Sequence, residues 1–277
     1  MATWPEQELL PSLRASLADA DSALLCVAFA NQKGVNLLGP QLKVLGRRCR
    51  LVVTSSFSGE TTATALASAA AMHIGVRVLN PSSGTFHPKL YLARKGTASV
   101  AVVGSANLTG GLVSNIEAAA VLQGALDDPA IADAWTLGER LWDHPANISW
   151  SAGRLSLPPE ELGDELLAAL RRAVPDGSVL GTLAEGRPNL VTAVTPQGVY
   201  VVTASSKAKG LPAQLVPAWM LQLAWDYLRL HRALTNHYLL AADGLNVKRS
   251  SAVCTLLARL PGVEVVSTRP IALRLVD

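Results

Sequence analysis

The sequence predicts an α/β protein with two domains, and three observations lead to this prediction. Short apolar segments alternate with helical segments through about residue 125, which is typical of a mixed or parallel β-sheet flanked by helices. Glycine and proline residues then interrupt the stretch between Trp150 and Leu162, which predicts domains at 1–155 and 156–277. Near the end of the chain, two short helices joined by a glycine turn precede two strands, which indicates a smaller α+β domain.

The first domain is predicted to contain a core sheet covered by helices. Apolar residues recur every three or four positions in its helical segments, which are 6–20, 35–45, 61–72 and 129–141. Continuous apolar runs predict its buried strands, which are 24–30, 50–54, 76–79, 98–103 and 116–122. Because loops positioned by a rigid scaffold commonly carry function, the polar residues at the ends of these strands are the candidates for a site.

Composition limits the kind of protein this chain can be. Of the 277 residues, 49% are hydrophobic, which is enough to fill two cores. The net charge of +3 permits an anionic partner, but only 16% of the residues are charged and no long Lys/Arg run exists. Charge alone therefore does not identify nucleic acid. The sequence shows neither a basic leader with an apolar core nor a run of about eighteen apolar residues, which predicts a soluble protein with no membrane partner.

The three cysteines indicate a reducing compartment. Cys26, Cys49 and Cys254 are widely spaced, and two of them lie in apolar segments. An odd number at such spacing fits neither a disulfide framework nor a zinc site. We therefore predict a cytoplasmic protein without a structural metal.

The most informative residues lie in the middle of the first domain. His87 and Lys89 are two positions apart on an extended segment, so both side chains point the same way and can reach one phosphate. Ser105 and Asn107 follow a buried strand, and Glu117 begins the next one. The sequence thus predicts that a nucleophile, a cation, two hydrogen-bonding groups and a carboxylate meet at one sheet edge.

These residue types suit phosphoryl transfer. The neutral imidazole of His87 can attack phosphorus, while Lys89 and Asn107 hold the phosphoryl oxygens as charge builds on them. The Glu117 carboxylate can fix the tautomer of the imidazole. Since the sequence shows no group of carboxylates arranged like a Mg²⁺ site, we expect no metal and no other cofactor.

The pattern H-x-K, then G-S-x-N, then an acidic residue resembles the half-site of the phospholipase D superfamily. The likeness covers roughly residues 5–150, and the runs Phe86–Leu92 and Leu108–Leu112 are most similar to the nuclease branch. It implies a phospholipase D-like layered domain and a phosphodiesterase that cleaves nucleic acid, with DNA as the favoured substrate. In such an enzyme His87, Lys89 and Asn107 are catalytic, together with Ser105 and Glu117.

The resemblance also implies an assembly and a reaction course. Only one half-site is present, and family members with one half-site pair two chains so that two histidines face one phosphodiester. This implies a homodimer in which His87 of one protomer forms a phosphohistidine and the second His87 protonates the leaving oxygen. Similar nucleases act in restriction and phage defence, which suggests such a role here, with other defence proteins as partners.

The chain departs from the family pattern at one position. Where the motif often continues to an aspartate, this sequence has Arg94. That aspartate is generally not the nucleophile and some nuclease members lack it, so the expected chemistry is unchanged. The replacement nevertheless keeps open a non-catalytic role, as a DNA-binding or assembly subunit of a defence complex.

The second domain is predicted to end in a region, about 211–277, that resembles a winged helix. Its predicted elements are a helix at 217–233, a short helix from the capping residue Thr235 to Ala242, a turn at Asp243–Gly244, a helix at 247–260, and strands at 263–266 and 271–275. A helix at 160–172 and a strand at 199–202 precede this region. Two short helices joined by a turn and followed by a strand pair are the arrangement of a winged helix.

Five residues of this region are candidates for nucleic-acid binding. Lys248, Arg249, Ser250 and Ser251 begin the candidate recognition helix, and Arg269 lies in the candidate wing. Side chains in these places contact DNA phosphates or base edges in the major groove. Winged helices also dock proteins, so a protein partner for this region remains open.

Other readings of the catalytic pattern remain open. A lipid or headgroup phosphodiesterase uses the same half-site, although such enzymes usually carry two copies in one chain. In the simplest alternative, His87 and Lys89 are a surface pair on a strand, and Asn107 only accommodates the backbone of a turn.

Overall fold

The computed structural model describes residues 2–3, 9–57, 59–151, 157–241, 245, 247 and 249–276. The chain divides into two compact units, Met1–Leu157 and Pro158–Asp277, and each has a hydrophobic core of its own. Within the described ranges, no helix has the length and apolar character needed to cross a membrane.

Unit 1 is built on an eight-stranded mixed sheet flanked by helices, as the alternating pattern predicted. Its strands are β1 (Ala2–Thr3), β2 (Ser22–Val27), β3 (Cys49–Val53), β4 (Gly75–Leu79), β5 (Lys89–Lys95), β6 (Ala98–Gly104), β7 (Glu117–Ala125) and β8 (Asn147–Ser149). They are hydrogen-bonded in the order β1-β7-β6-β5-β2-β3-β4-β8. Strands β2, β3 and β4 run parallel to each other, and the remaining neighbours are antiparallel.

Helices cover both faces of this sheet. They are α1 (Leu10–Ala18), α2 (Gln32–Leu45), α3 (Ala63–Ala71), the short α4 (Gly111–Ser114) and α5 (Pro129–Trp142). Alternate residues of β2 enter different cores: Leu25 packs in the cluster with α1, α2 and α3, whereas Leu24 packs with Ile131 of α5. Burial on both faces explains why β2 is apolar along nearly its whole length.

The strand pairing brings several strand ends to one edge of the sheet. Val27 at the end of β2 is paired with Lys89 at the start of β5, because these strands are antiparallel. In the same way Leu90 is paired with Val103 near the end of β6, and Gly104 with Ala119 near the start of β7. The chain segments that precede β5, follow β6 and precede β7 therefore meet at this edge.

A backbone crossing fixes the same edge. The strand predicted at 24–30 ends at Val27, and the chain beyond it runs beside the loop that follows β6. There Leu108 N donates to Phe29 O at 3.1 Å and Asn31 N donates to Leu108 O at 3.0 Å. Gly34 allows this approach, since a Cβ at that position would lie 2.1 Å from Leu108 O.

Unit 2 contains two sheets. Its elements are α6 (Asp164–Ala173), β9 (Val179–Gly181), β10 (Pro188–Thr195), β11 (Gly198–Thr203), α7 (Ala204–Ala208), β12 (Gln214–Pro217), α8 (Ala218–His231), β13 (Ala233–Thr235), α9 (Asn236–Leu240), α10 (Ser250–Leu257), β14 (Val263–Thr268) and β15 (Ile271–Leu275). Strands β12-β11-β10-β9 form one antiparallel sheet, and β13-β15-β14 form the other. Of the first sheet the sequence predicted only β11.

The helices near the end of unit 2 follow the predicted order. Thr235 caps α9 as expected, with its side chain accepting from Tyr238 N at 3.2 Å. The predicted turn at Asp243–Gly244 lies outside the described residues. Helix α10 is shorter than the predicted 247–260, and the five residues Val253–Leu257 are each at most 2% exposed. A helix buried on consecutive positions is surrounded on all sides, so α10 has no continuous exposed face.

Candidate active site

His87 and Lys89 lie side by side where β5 begins. His87 is exposed on the loop just before the strand, and Lys89, its first residue, is only 9% exposed. The ammonium Nζ of Lys89 is 2.6 Å from His87 Nδ1 and 3.0 Å from His87 O. The alternation of side chains along extended backbone thus places a cation directly beside the imidazole.

The surroundings of these two residues lower both pKa values. Partial desolvation of the imidazole is the main cause for His87, although the residue as a whole is exposed, and the positive charge of Lys89 lowers the imidazole pKa further. Burial also lowers the Lys89 pKa, while the negative charge of Glu117 opposes this effect. A lowered pKa keeps His87 neutral near pH 7, which is the form that can act as a nucleophile.

Two phenylalanines pack against His87. The ring centroids of Phe29 and Phe57 lie 5.6 and 6.3 Å from the imidazole centroid, both in edge-on geometry. The chain has only three phenylalanines, and the third, Phe86, precedes His87 directly. Phe29 and Phe57 are far from His87 in the sequence, so no sequence pattern indicated that their rings pack against it.

Asn107 is held by the crossing segment. Its Oδ1 accepts a hydrogen bond from Phe29 N at 3.1 Å, which orients the side chain. The Nδ2 group is then directed away from this bond and can donate to a ligand. Phe29 therefore contacts both functional side chains, His87 through its ring and Asn107 through its backbone.

Ser105 and Glu117 form a separate hydrogen-bonded group. Ser105 Oγ donates to Glu117 Oε2, and Asn115 Nδ2 donates to Glu117 Oε1 at 3.2 Å. Ser105 Oγ also accepts from Ala118 N at 3.0 Å. Glu117 is 7% exposed, and burial, followed by the negative charge of Glu117, raises the pKa of the Tyr91 hydroxyl. The expected contact between Glu117 and His87 is not among the hydrogen bonds of the described residues, and Asn115 was not foreseen.

A polar cluster holds the loop that carries Phe57. Thr54 Oγ1 donates to Asn80 Oδ1 at 2.7 Å, and Ser55 N donates to the same oxygen at 3.0 Å. Thr54 and Asn80 directly follow the parallel strands β3 and β4, so they lie at the carboxyl ends of those strands, the same edge as His87.

Arg94 lies away from this edge. It is five residues beyond Lys89 on β5, a separation of roughly 17 Å along a strand. Its Nε donates to Ser22 Oγ at 2.7 Å, and its guanidinium lies 5.8 Å from the centre of the Trp135 ring. The departure from the family pattern therefore joins β5 to β2 at the opposite end of the sheet and does not change the geometry around His87.

The predicted nucleic-acid-binding residues have different surroundings. Arg249 is half-buried at the start of α10, Ser250 is 5% exposed and Ser251 is exposed. Arg269 is exposed, and its Nη2 donates to Ala184 O at 3.0 Å. Lys248 lies outside the described residues. Among the residues that are described, no group of three or more His, Cys, Asp or Glu side chains could hold a metal ion.

Comparison with known proteins gives likeness at the level of structure only. No family model and no curated protein matches the sequence. Nuc from Salmonella typhimurium, a phospholipase D family member, is 15% identical, with 53% of this chain and 94% of that chain covered and a TM-score of 0.41. NucT from Helicobacter pylori is 16% identical, with coverages of 54% and 96% and a TM-score of 0.39.

A third similar structure is the phosphatidylserine synthase of Haemophilus influenzae Rd KW20. It is 12% identical, with 52% of this chain and 37% of that chain covered and a TM-score of 0.38. Likeness at this level does not decide a function, which has to be argued from His87 and its neighbours.

Proposed function

We propose that this chain is a phosphodiesterase of the phospholipase D type that cleaves nucleic acid, with DNA as its substrate. The observation that supports this most is the contact between Lys89 Nζ and the His87 imidazole at 2.6 Å, at a sheet edge shared with Asn107. A nucleophile, a cation and an amide donor in one place are what phosphoryl transfer without a metal requires.

The first step of the proposed reaction forms a bond between nitrogen and phosphorus. The ammonium of Lys89 donates to Nδ1 of His87, but a phosphate oxygen is a stronger acceptor and draws it away. Nδ1 can then carry the ring proton, which leaves a lone pair on Nε2 for attack. As the N–P bond forms, the bond to the leaving oxygen breaks, and His87 of the partner subunit, which begins this step in its protonated form, gives that oxygen a proton and becomes neutral.

The second step returns the enzyme to its starting state. His87 of the partner subunit, now neutral, takes a proton from water, and the water oxygen attacks phosphorus while the N–P bond breaks. Lys89 and the Asn107 amide donate to the non-bridging oxygens in both steps. Ser105 assists indirectly, because its hydrogen bond holds the Glu117 carboxylate, whose negative charge helps to keep Lys89 charged.

The proposal includes a homodimer, because one chain supplies one of the two histidines. Two apolar side chains support an interface beside the site: Val103 is 45% exposed and Ile116 is 75% exposed. Val103 lies near the end of β6, just before Ser105, and Ile116 directly precedes Glu117 at the start of β7. A two-fold contact through these residues would bring the two half-sites together.

The C-terminal part of the chain supports nucleic acid over a lipid headgroup. The order α8-β13-α9-α10-β14-β15, with β15 between β13 and β14, supports the proposal of a winged helix in this region. We propose that this region of a cytoplasmic protein contacts DNA through phosphates, with Arg269 in the wing as one contact. A role in restriction or phage defence, beside other defence proteins, belongs to the proposal on the strength of the motif alone.

The alternative of a non-catalytic subunit is not supported by the position of Arg94. It rested on Arg94, and Arg94 lies at the far end of β5 from His87. The alternative of a lipid phosphodiesterase is tested with phosphatidylcholine vesicles.

Cleavage of plasmid DNA is expected to continue in excess EDTA. The positive charge and hydrogen bonds that stabilise the transition state come from Lys89 and Asn107, which chelation does not remove. The measurement is the rate of supercoiled DNA loss with and without EDTA, with a magnesium-dependent nuclease as the control that must stop. Phosphatidylcholine vesicles are tested as a substrate in a parallel assay. If EDTA stops DNA cleavage and Mg²⁺ restores it, the metal-independent mechanism is wrong. If the protein hydrolyses the lipid and not DNA, the assignment of DNA as substrate is wrong.

Ile116→Asp is expected to convert the dimer to a monomer and to lower cleavage at least about hundredfold, because a carboxylate in an apolar interface is costly to desolvate. Light scattering and the plasmid assay measure the two effects. Val44→Asp is the matched control, since Val44 is also an exposed apolar residue, 67% exposed on α2, and should change neither. If the wild-type protein is a monomer and still cleaves DNA, the active site is not shared between two protomers.

A further inference from the structure

Unit 2 contains a cavity of about 690 Å³ that the proposed chemistry does not use. Strands β10, β11 and β12 line it together with α7 and the first turn of α10. Val201 and Val216 form an apolar part of its wall, and Thr203, Ser205 and Ser250 contribute hydroxyl groups. A cavity of this volume is within the range of sites for small organic ligands.

The cavity carries positive charge. Arg187 and Arg249 both line it, and none of its described lining residues is acidic. Arg187 pairs with Glu185 through Nε at 2.7 Å, but these side chains are 74% and 47% exposed, so the pair is weak. A guanidinium has five N–H groups, and those not facing Glu185 can still bind an anion.

The first turn of α10 lacks a cap. Arg249 occupies the capping position and makes no side-chain hydrogen bond to the helix, and a cation cannot accept one. Ser250 is 5% exposed, and within the described part of the chain its hydroxyl has no hydrogen-bond partner. The free N–H groups of a helix start and an unpaired hydroxyl favour an anion at this place.

We propose that this cavity binds a phosphate-bearing ligand of nucleotide size. The phosphate lies at the first turn of α10 between Arg187 and Arg249 and accepts from Ser250, and the organic part lies against Val201 and Val216. The burial of Val253–Leu257 agrees with this, because a helix without an exposed face cannot enter a DNA groove along its length. The ligand is either a free nucleotide or the terminal phosphate of a strand, and the inference does not depend on the nuclease chemistry.

Binding to the full-length protein tests the proposal by calorimetry. The probes are AMP, adenosine, inorganic phosphate, and a short single strand with or without a 5′-phosphate. We expect AMP or the phosphorylated strand to bind at least about tenfold more tightly than its unphosphorylated counterpart, since hydrogen bonds to a charged group are strong. AMP binding identifies a free nucleotide, and binding of the phosphorylated strand alone identifies a strand end.

Two variants and a control locate the site. Arg249→Gln should weaken binding at least about tenfold, and Ser205→Trp should abolish it by filling the cavity without changing charge. Arg259→Gln is the control, because Arg259 is an exposed arginine just beyond the other end of α10 and should bind like the wild type. The binding measurement does not depend on cleavage, so its outcome is separate from that of the nuclease proposal. The proposal is overturned if no phosphorylated probe binds, if phosphate adds nothing to affinity, or if Arg249→Gln and Ser205→Trp bind like the wild type.

Discussion

His87→Ala should abolish DNA cleavage, lowering kcat/KM by about 10⁴-fold or more, because the same side chain supplies the nucleophile and, from the second protomer, the proton donor. The loss should not come from unfolding. His87 is exposed, and among the described residues its ring contacts are with Phe29 and Phe57, so the free energy of unfolding should change by less than about 1 kcal/mol. Cleavage kinetics and urea denaturation measure the two quantities.

His73→Asn is the matched control for this variant. His73 is exposed in the same unit, just before β4 begins, and so lies at the opposite end of that strand from Asn80. Its φ of 62° is one that asparagine tolerates well. Cleavage should be unchanged in this control. Near wild-type cleavage by His87→Ala, on any substrate that the wild type cleaves, would refute the assignment of the nucleophile.

Lys89→Met should lower kcat/KM by about 10²–10³-fold, because it removes the charge that faces the phosphoryl oxygens in the transition state. It should also move the acid limb of the pH–rate profile to higher pH. The charge of Lys89 lowers the His87 pKa, so its removal raises that pKa and more of the imidazole is protonated at a given mildly acidic pH. Burial, the larger cause of the lowered pKa, remains, so the limb should move only part of the way to the ordinary histidine value.

Lys95→Met provides the comparison on the same strand. Lys95 ends β5, is 67% exposed and lies 3.7 Å from Asp19, so its removal should alter neither the rate nor the pH profile. An acid limb that moves to lower pH in Lys89→Met, or a rate equal to the wild type, would show that Lys89 does not act on His87.

The sequence was sufficient to predict those parts of the site whose geometry depends on residues close together in the chain. His87 and Lys89 are adjacent because extended backbone has a period of two, and the pattern of apolar runs correctly predicted the mixed sheet that carries them. It was insufficient where distant segments meet. Phe29 reaches Asn107 across 78 positions of the chain, and only the pairing of the crossing segments shows this contact.

The second unit shows the other limit of sequence patterns. Strand β9 has three residues and β10 begins with a proline, so neither carries the long apolar run by which a buried strand is recognised. The polar residues Arg249, Ser250 and Ser251 suggested an exposed helix start. Ser250 is buried nonetheless, since the neighbouring sheet, of which the sequence predicted only β11, lines the same cavity.

The close approach at Gly34 determines the stage of folding at which the site forms. Its contact with Leu108 joins the first turn of α2 to the loop after β6, across nearly half of unit 1, and closing so long a loop costs entropy that the pairing of the intervening strands offsets. A partly folded chain therefore carries the five polar residues without a site. Hydrolysis by this protein therefore requires the completely folded domain. A folding intermediate, or a fragment that lacks the contact between Gly34 and Leu108, should not cleave DNA.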